Sequence, residues 1–124
     1  MRGCNVAKHE AMLAAQSEAV TLFRRGVALK DVAPMIGYSR HALRRWYVRC
    51  PDYAERVDVA RREAWRDKWG MVVYYLRFNN LLDACEMAGV SVQSWHTAKR
   101  HSVYGPWLHR RIARMKWART MARS

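Results

Sequence analysis

The side chains best equipped for chemistry in this chain are its arginines, and they are not spread evenly. Between Asp31 and Asp52 there is no acid, and that interval holds Arg40, Arg44, Arg45 and Arg49. After Glu86 there is again no acid, while Lys99, Arg100, Arg110, Arg111, Arg114, Lys116, Arg119 and Arg123 follow. From Asp52 to Trp69, in contrast, Arg56, Arg61, Arg62, Arg66 and Lys68 balance Asp52, Glu55, Asp58, Glu63 and Asp67. A solvated salt-bridge surface mixes signs, whereas a surface that meets a polyanion separates them. The pattern is two basic blocks around a neutral, structural spacer.

Other chemistry finds little support. Cys85, His96 and His101 share the second half and His9 lies near Cys4, but no pair has Cys-x-x-Cys or His-x-x-x-His spacing, so a structural metal is not expected. The ten acids are scattered and there is no glycine-rich phosphate loop, so neither catalysis nor a cofactor is expected. Cys4, Cys50 and Cys85 are odd in number and read as free thiols of a reducing cytosol. The six Trp and six Tyr could stack on single-stranded bases, but they fall mostly at helical-core spacing.

Composition bounds the rest. The 124 residues carry 23 Lys plus Arg against 10 Asp plus Glu, a net +13, and 51% are apolar. That is too apolar for a disordered polycation, and the surplus charge calls for a polyanionic partner. No run approaches the roughly 18 apolar residues of a membrane span. No apolar segment follows Met1-Arg2-Gly3-Cys4-Asn5, so export is not expected and the chain is assigned to the cytoplasm.

Helix is the prevailing pattern. Leu13, Val20, Phe23 and Val27 share a face of a helix running from about Lys8 to Arg25, with Gly26 as a left-handed cap. A short helix from Leu29 closes at Gly37; Pro34 lies either inside it, removing a donor, or in its first turn. Ser39 then caps a helix from Arg40 to Arg49, with Leu43, Trp46 and Tyr47 inward and Arg40, His41, Arg44 and Arg45 outward, stopped by Pro51. Asp52 and Glu55 form a capping box that opens a helix through Ala64 or beyond.

The run Met71-Val72-Val73-Tyr74-Tyr75-Leu76 could be a strand on local propensity, but an internal repeat makes it helix. Shifting the chain by 52 places lays Leu81 to Ser91 over Leu29 to Ser39, with Leu, Asp, Met, Gly and Ser coinciding. The same shift puts Val72 on Val20, Tyr75 on Phe23 and Trp95 on Leu43. Pro106-Trp107-Leu108 then opens a last helix through Ala122, with Leu108, Ile112 and Met115 alternating with arginines. The fold class is all-α, two tandem units joined by a longer helix, with domains at 1–64 and 65–124.

The order of each unit, a short helix ending in Met-x-Gly-x-Ser and then a helix with an apolar residue four places after the serine, resembles the helix-turn-helix of the homeodomain-like superfamily. The continuation from Trp46 to Ala54, with the Ala-Arg-rich helix behind it, is similar to bacteriophage small terminase subunits and to transposase N-terminal domains. Copy two departs from the pattern, with Ala98 where copy one has Trp46. The resemblance implies a non-catalytic protein that binds double-stranded DNA. It implies that Ser39 caps a recognition helix whose Arg40, His41, Arg44, Arg45 and Arg49 face the major groove or its phosphate walls. In copy two the corresponding surface is Val92, Gln93, His96 and Thr97, with Lys99 and Arg100 beyond, and Arg110, Arg111 and Arg114 of the last helix meet phosphate.

Three roles share this motif: recognition of packaging-site DNA for a large terminase-type motor subunit, regulation of phage or prophage transcription, and an accessory part of a transposase or recombinase. The basic last helix, with Trp107 and Trp117, has an amphipathic pattern that also suits an anionic membrane surface, but its place in the repeat favours phosphate contact or packing. Two recognition units pair either internally, between the repeats of one chain, or externally in a homo-oligomer through the stripe Tyr53, Val57, Ala60 and Ala64; the apolar surface of Trp65, Trp69 and the run from Met71 to Leu76 favours the homo-oligomer.

Overall fold

The computed structural model describes residues 2–123, with the side chains of residues 6–122; Cys4 and Arg123, both named above, have side chains outside this set. Every regular element among the described residues is a helix: α1 (Arg2–Arg24), α2 (Leu29–Ile36), α3 (Arg40–Arg49), α4 (Pro51–Leu76), α5 (Leu81–Ala88), α6 (Val92–Lys99) and α7 (Gly105–Arg123). The run from Met71 to Leu76 is helical, as the repeat requires. The chain divides into two compact units, Met1–Ala64 and Trp65–Ser124, and α4 contributes to both.

Local chemistry sets the helix ends. Gly37 and Gly89 close α2 and α5 with left-handed φ of 77° and 72°, a backbone that L side chains resist, and the amides that follow bond back to the carbonyls of Ala33 and Cys85. Ser39 and Ser91 then cap α3 and α6, each hydroxyl accepting from the amide three residues on. Asn80 caps α5 in the same way, accepting from the Asp83 amide at 2.8 Å. α2 starts at Leu29, so Pro34 lies inside it rather than in its first turn.

Two boundaries differ from the sequence reading. α1 begins at Arg2, not near Lys8. The capping box at Asp52 does not form, because Pro51 is itself the first helical residue; its fixed φ and missing N–H suit that place, and the Ala54 amide bonds to the carbonyl of Cys50. Asp52 instead sits in the first turn of α4, where its charge opposes the positive end of the helix dipole.

In the first unit, Ala15, Ala19, Leu22 and Phe23 of α1 pack with Val32 and Ala33 of α2, Leu43 and Trp46 of α3, and Tyr53, Val57 and Ala60 of α4. The last three are at most 4% exposed, so the stripe expected to pair chains is consumed inside its own unit except for the half-buried Ala64. The second unit repeats this burial with Trp69, Val72 and Val73 of α4, Ala84 and Cys85 of α5, Trp95 and Ala98 of α6, and Leu108 and Met115 of α7. Here too the apolar surface expected for pairing is largely internal, though Met71, Tyr74 and Phe78 stay exposed. Burial pairs Gln16, Ala19 and Phe23 with Trp69, Val72 and Leu76, one residue off the register that identities alone select.

Candidate nucleic-acid interface

The floor beneath α3 is aromatic. Trp46 lies edge-on to Tyr38 at 4.9 Å and to Tyr53 at 5.8 Å, and Leu43 beside it is 1% exposed. With Leu43 and Trp46 directed inward, Arg40, His41, Arg44, Arg45 and Arg49 are all exposed, as the sequence reading expects. They share the outer side of one ten-residue helix that contains no acid. A first helical turn normally gains from a carboxylate near its unpaired amides; α3 has Arg40 and His41 there instead.

Tyr47 is a correction. It was expected inward, yet it is 42% exposed, and its hydroxyl donates to Asp58 Oδ1 at 2.7 Å. Leu43 and Trp46 already fill the space towards the core, and Tyr47 falls to the side, where it ties α3 to α4 and occupies an acid of that helix. Glu63 is likewise engaged, by Arg24 Nε at 2.7 Å. Val48 was missed by the sequence reading. It is 80% exposed at the centre of the outer face, between Arg44 and His41 on the helical wheel. A branched apolar side chain at that place is suited to a thymine methyl group. The signal that finds it is position: five residues after the inward Leu43, it points away from the core.

In the second unit the matching residues are arranged differently. Gln93, His96, Thr97 and Arg100 are exposed and Lys99 is half-buried, but Val92, expected on this surface, packs half-buried against the core of the unit. The Thr97 hydroxyl donates to the Gln93 carbonyl at 3.1 Å, so its proton is used within its own helix. Gln93 and Thr97 border a groove of about 470 Å³ with Trp65, Lys68 and Trp69 of α4. Lys68 Nζ lies 5.1 Å from the centre of the Trp69 ring. This surface is aromatic and weakly charged, unlike the arginine face of α3.

His101 has a structural task. Its Nδ1 accepts from the amides of Val103 and Tyr104 at 3.1 and 3.0 Å, and its ring stacks on Tyr104 at 4.6 Å. It thereby satisfies two donors at the entry to α7. Among the described residues no three His, Cys, Asp or Glu side chains come together as a metal site. Cys85 is 1% exposed, and burial pushes its thiol pKa up; burial raises the Tyr53 phenol likewise, with Arg61 acting in the opposite sense.

On α7, Leu108 and Met115 are buried and Ile112 half-buried, as expected. Arg110, Arg111 and Arg114 are exposed but diverge: Arg111 lies over the Trp107 ring at 5.6 Å and, with Arg114, borders a cavity against α4 that Arg110 does not reach. Arg119 Nη1 donates to the Leu76 carbonyl at 3.3 Å, closing the end of α4. Trp117 is 68% exposed. No described helix is long and apolar enough to cross a membrane. Comparison with protein-family models, with curated proteins and with solved structures finds no match to this chain.

Proposed function

We propose that this chain is a non-catalytic protein that binds double-stranded DNA in the helix-turn-helix manner, with α3 entering the major groove. The observation that carries the reading is the outer face of α3: four arginines and a histidine on ten residues, with none of the acids that a helix start ordinarily gains from. Phosphate oxygens would supply the missing negative charge at the first turn, while Arg44, Arg45 and Val48 reach base edges. The turn through Gly37, Tyr38 and Ser39 and the aromatic floor under Trp46 hold that face at a fixed angle, which base reading requires.

Within this reading the role is that of a small terminase-type protein, working in the cytoplasm, that recognises packaging-site DNA and passes it to a separate motor subunit. The second unit adds phosphate contacts through Arg100 and Arg110, and a homo-oligomer would use surface outside the Tyr53–Ala60 stripe. The test is a binding titration across salt. With about six to eight phosphate contacts, affinity for a duplex falls about 10³-fold or more between about 50 and 200 mM salt. A flat salt response refutes the reading.

A further inference from the structure

The second unit contains a cavity that this function leaves unused. It lies between α4 and α7 and has a volume of about 310 Å³; Arg77, Arg111 and Arg114 wall it, over Val73 and Met115. Tyr74 completes the wall, 53% exposed, and meets the 78% exposed ring of Phe78 edge-on at 6.4 Å. Three arginines border this space and no carboxylate does. Among the described residues no ion pair neutralises any of the three. Like charges gathered around one space repel unless an anion joins them.

Gly70 lies well inside the 26-residue helix α4, where glycine is among the poorest of helix formers. A Cβ there would touch only Trp107 Cη2, at 3.8 Å, an ordinary contact. Neither the backbone nor the packing calls for glycine at this place. What glycine does is leave the floor of the cavity open.

We propose that this cavity binds a nucleotide through a terminal phosphate monoester. A monoester carries nearly two charges against the single charge of an internal diester, which suits several guanidinium forks. The exposed Tyr74 and Phe78 rings beside the cavity offer a platform for the base. The volume lies at the lower end of the range of about 300–1,000 Å³ for small-ligand sites, enough for one nucleotide and not for a duplex. The same chemistry is presented by a free nucleotide and by the 5′-phosphorylated end of a DNA strand.

The test titrates the full chain with deoxyadenosine 5′-monophosphate, inorganic phosphate and deoxyadenosine, by calorimetry at moderate salt. The nucleotide binds at least about 10-fold more tightly than either fragment, and Arg77→Ala weakens it about 10-fold or more. Gly70→Leu fills the floor and abolishes binding while the unfolding temperature is kept and the salt-sensitive duplex binding of α3 persists; should that variant not fold, Tyr74→Ala takes its place, with a loss of about 10-fold. Duplexes with 5′-phosphate and 5′-hydroxyl ends separate the sources. A preference for phosphate that disappears in Gly70→Leu assigns the site to strand ends, and no preference alongside nucleotide binding assigns it to a free nucleotide. No binding of the nucleotide, equal binding of inorganic phosphate, or undiminished binding by the folded variants overturns the proposal.

Discussion

Replacing Trp46 with alanine tests the architecture under the arginine-bearing face of α3. Trp46 is 8% exposed and lies edge-on between Tyr38 and Tyr53, which belong to the turn before α3 and to the start of α4. A ring of this size removes about 200 Å² from water, worth about 5 kcal/mol at roughly 25 cal/mol per Å². Alanine recovers a small part of that, and each lost aromatic pair adds about 0.5–1.5 kcal/mol, so the expected cost is about 3–5 kcal/mol. A unit of this size has only about 3–10 kcal/mol in reserve. Urea unfolding of the full chain, followed by circular dichroism, should show the first unit melting at a much lower denaturant concentration or unfolded from the outset. Trp117→Ala is the matched control: the same residue type, 68% exposed, with an expected change within about 0.5 kcal/mol. Equal midpoints for Trp46→Ala and the parent chain would mean that Trp46 does not hold α3 in place and that the proposed DNA contact has no rigid support.

Three further outcomes are expected. Gly70→Ala should stabilise the chain by about 0.5–1 kcal/mol, because it relieves a helix-interior glycine, whereas Gly105→Ala should destabilise it, since a Cβ there would lie 2.8 Å from the Lys99 carbonyl oxygen; thermal unfolding of the pair with opposite signs checks both. The raised thiol pKa of Cys85 means that the unfolded chain ionises first on the alkaline side. Its contribution is therefore whole below a pH of about 8.5 and is lost above it at up to about 1.4 kcal/mol per pH unit, a slope that Cys85→Ala removes in unfolding measured from neutral to alkaline pH. In a competition assay, Arg44→Ala should lose about 1–3 kcal/mol of discrimination between duplex sequences, while Arg110→Ala should weaken all duplexes alike; identical behaviour of the two would remove α3 as the reader.

Features that depend on a few neighbouring residues could be read from the chain's order alone. Gly37 with Ser39, Gly89 with Ser91, and Pro51 end and start helices through backbone angles and side-chain caps that act within one turn, so the helical class and most boundaries were legible. The repeat settled the helical state of Met71 to Leu76, where local propensity pointed elsewhere. The arginines of α3 were legible too, since Leu43 and Trp46 left them only the outward side.

The tertiary structure decided which apolar faces were already covered and which distant charges met. Tyr53, Val57 and Ala60 looked free in sequence, but α1 and α3 bury them, because an amphipathic stripe does not record which helix will cover it. Tyr47 turned outward once Trp46 had filled the space below, and Val48 emerged at the centre of the outer face of α3. Arg77 lies far along the chain from Arg111 and Arg114, and periodicity within one helix carries no information about a neighbour on another. Only the packing of α4 against α7, over a glycine that leaves a gap, brings those three residues to the wall of one cavity.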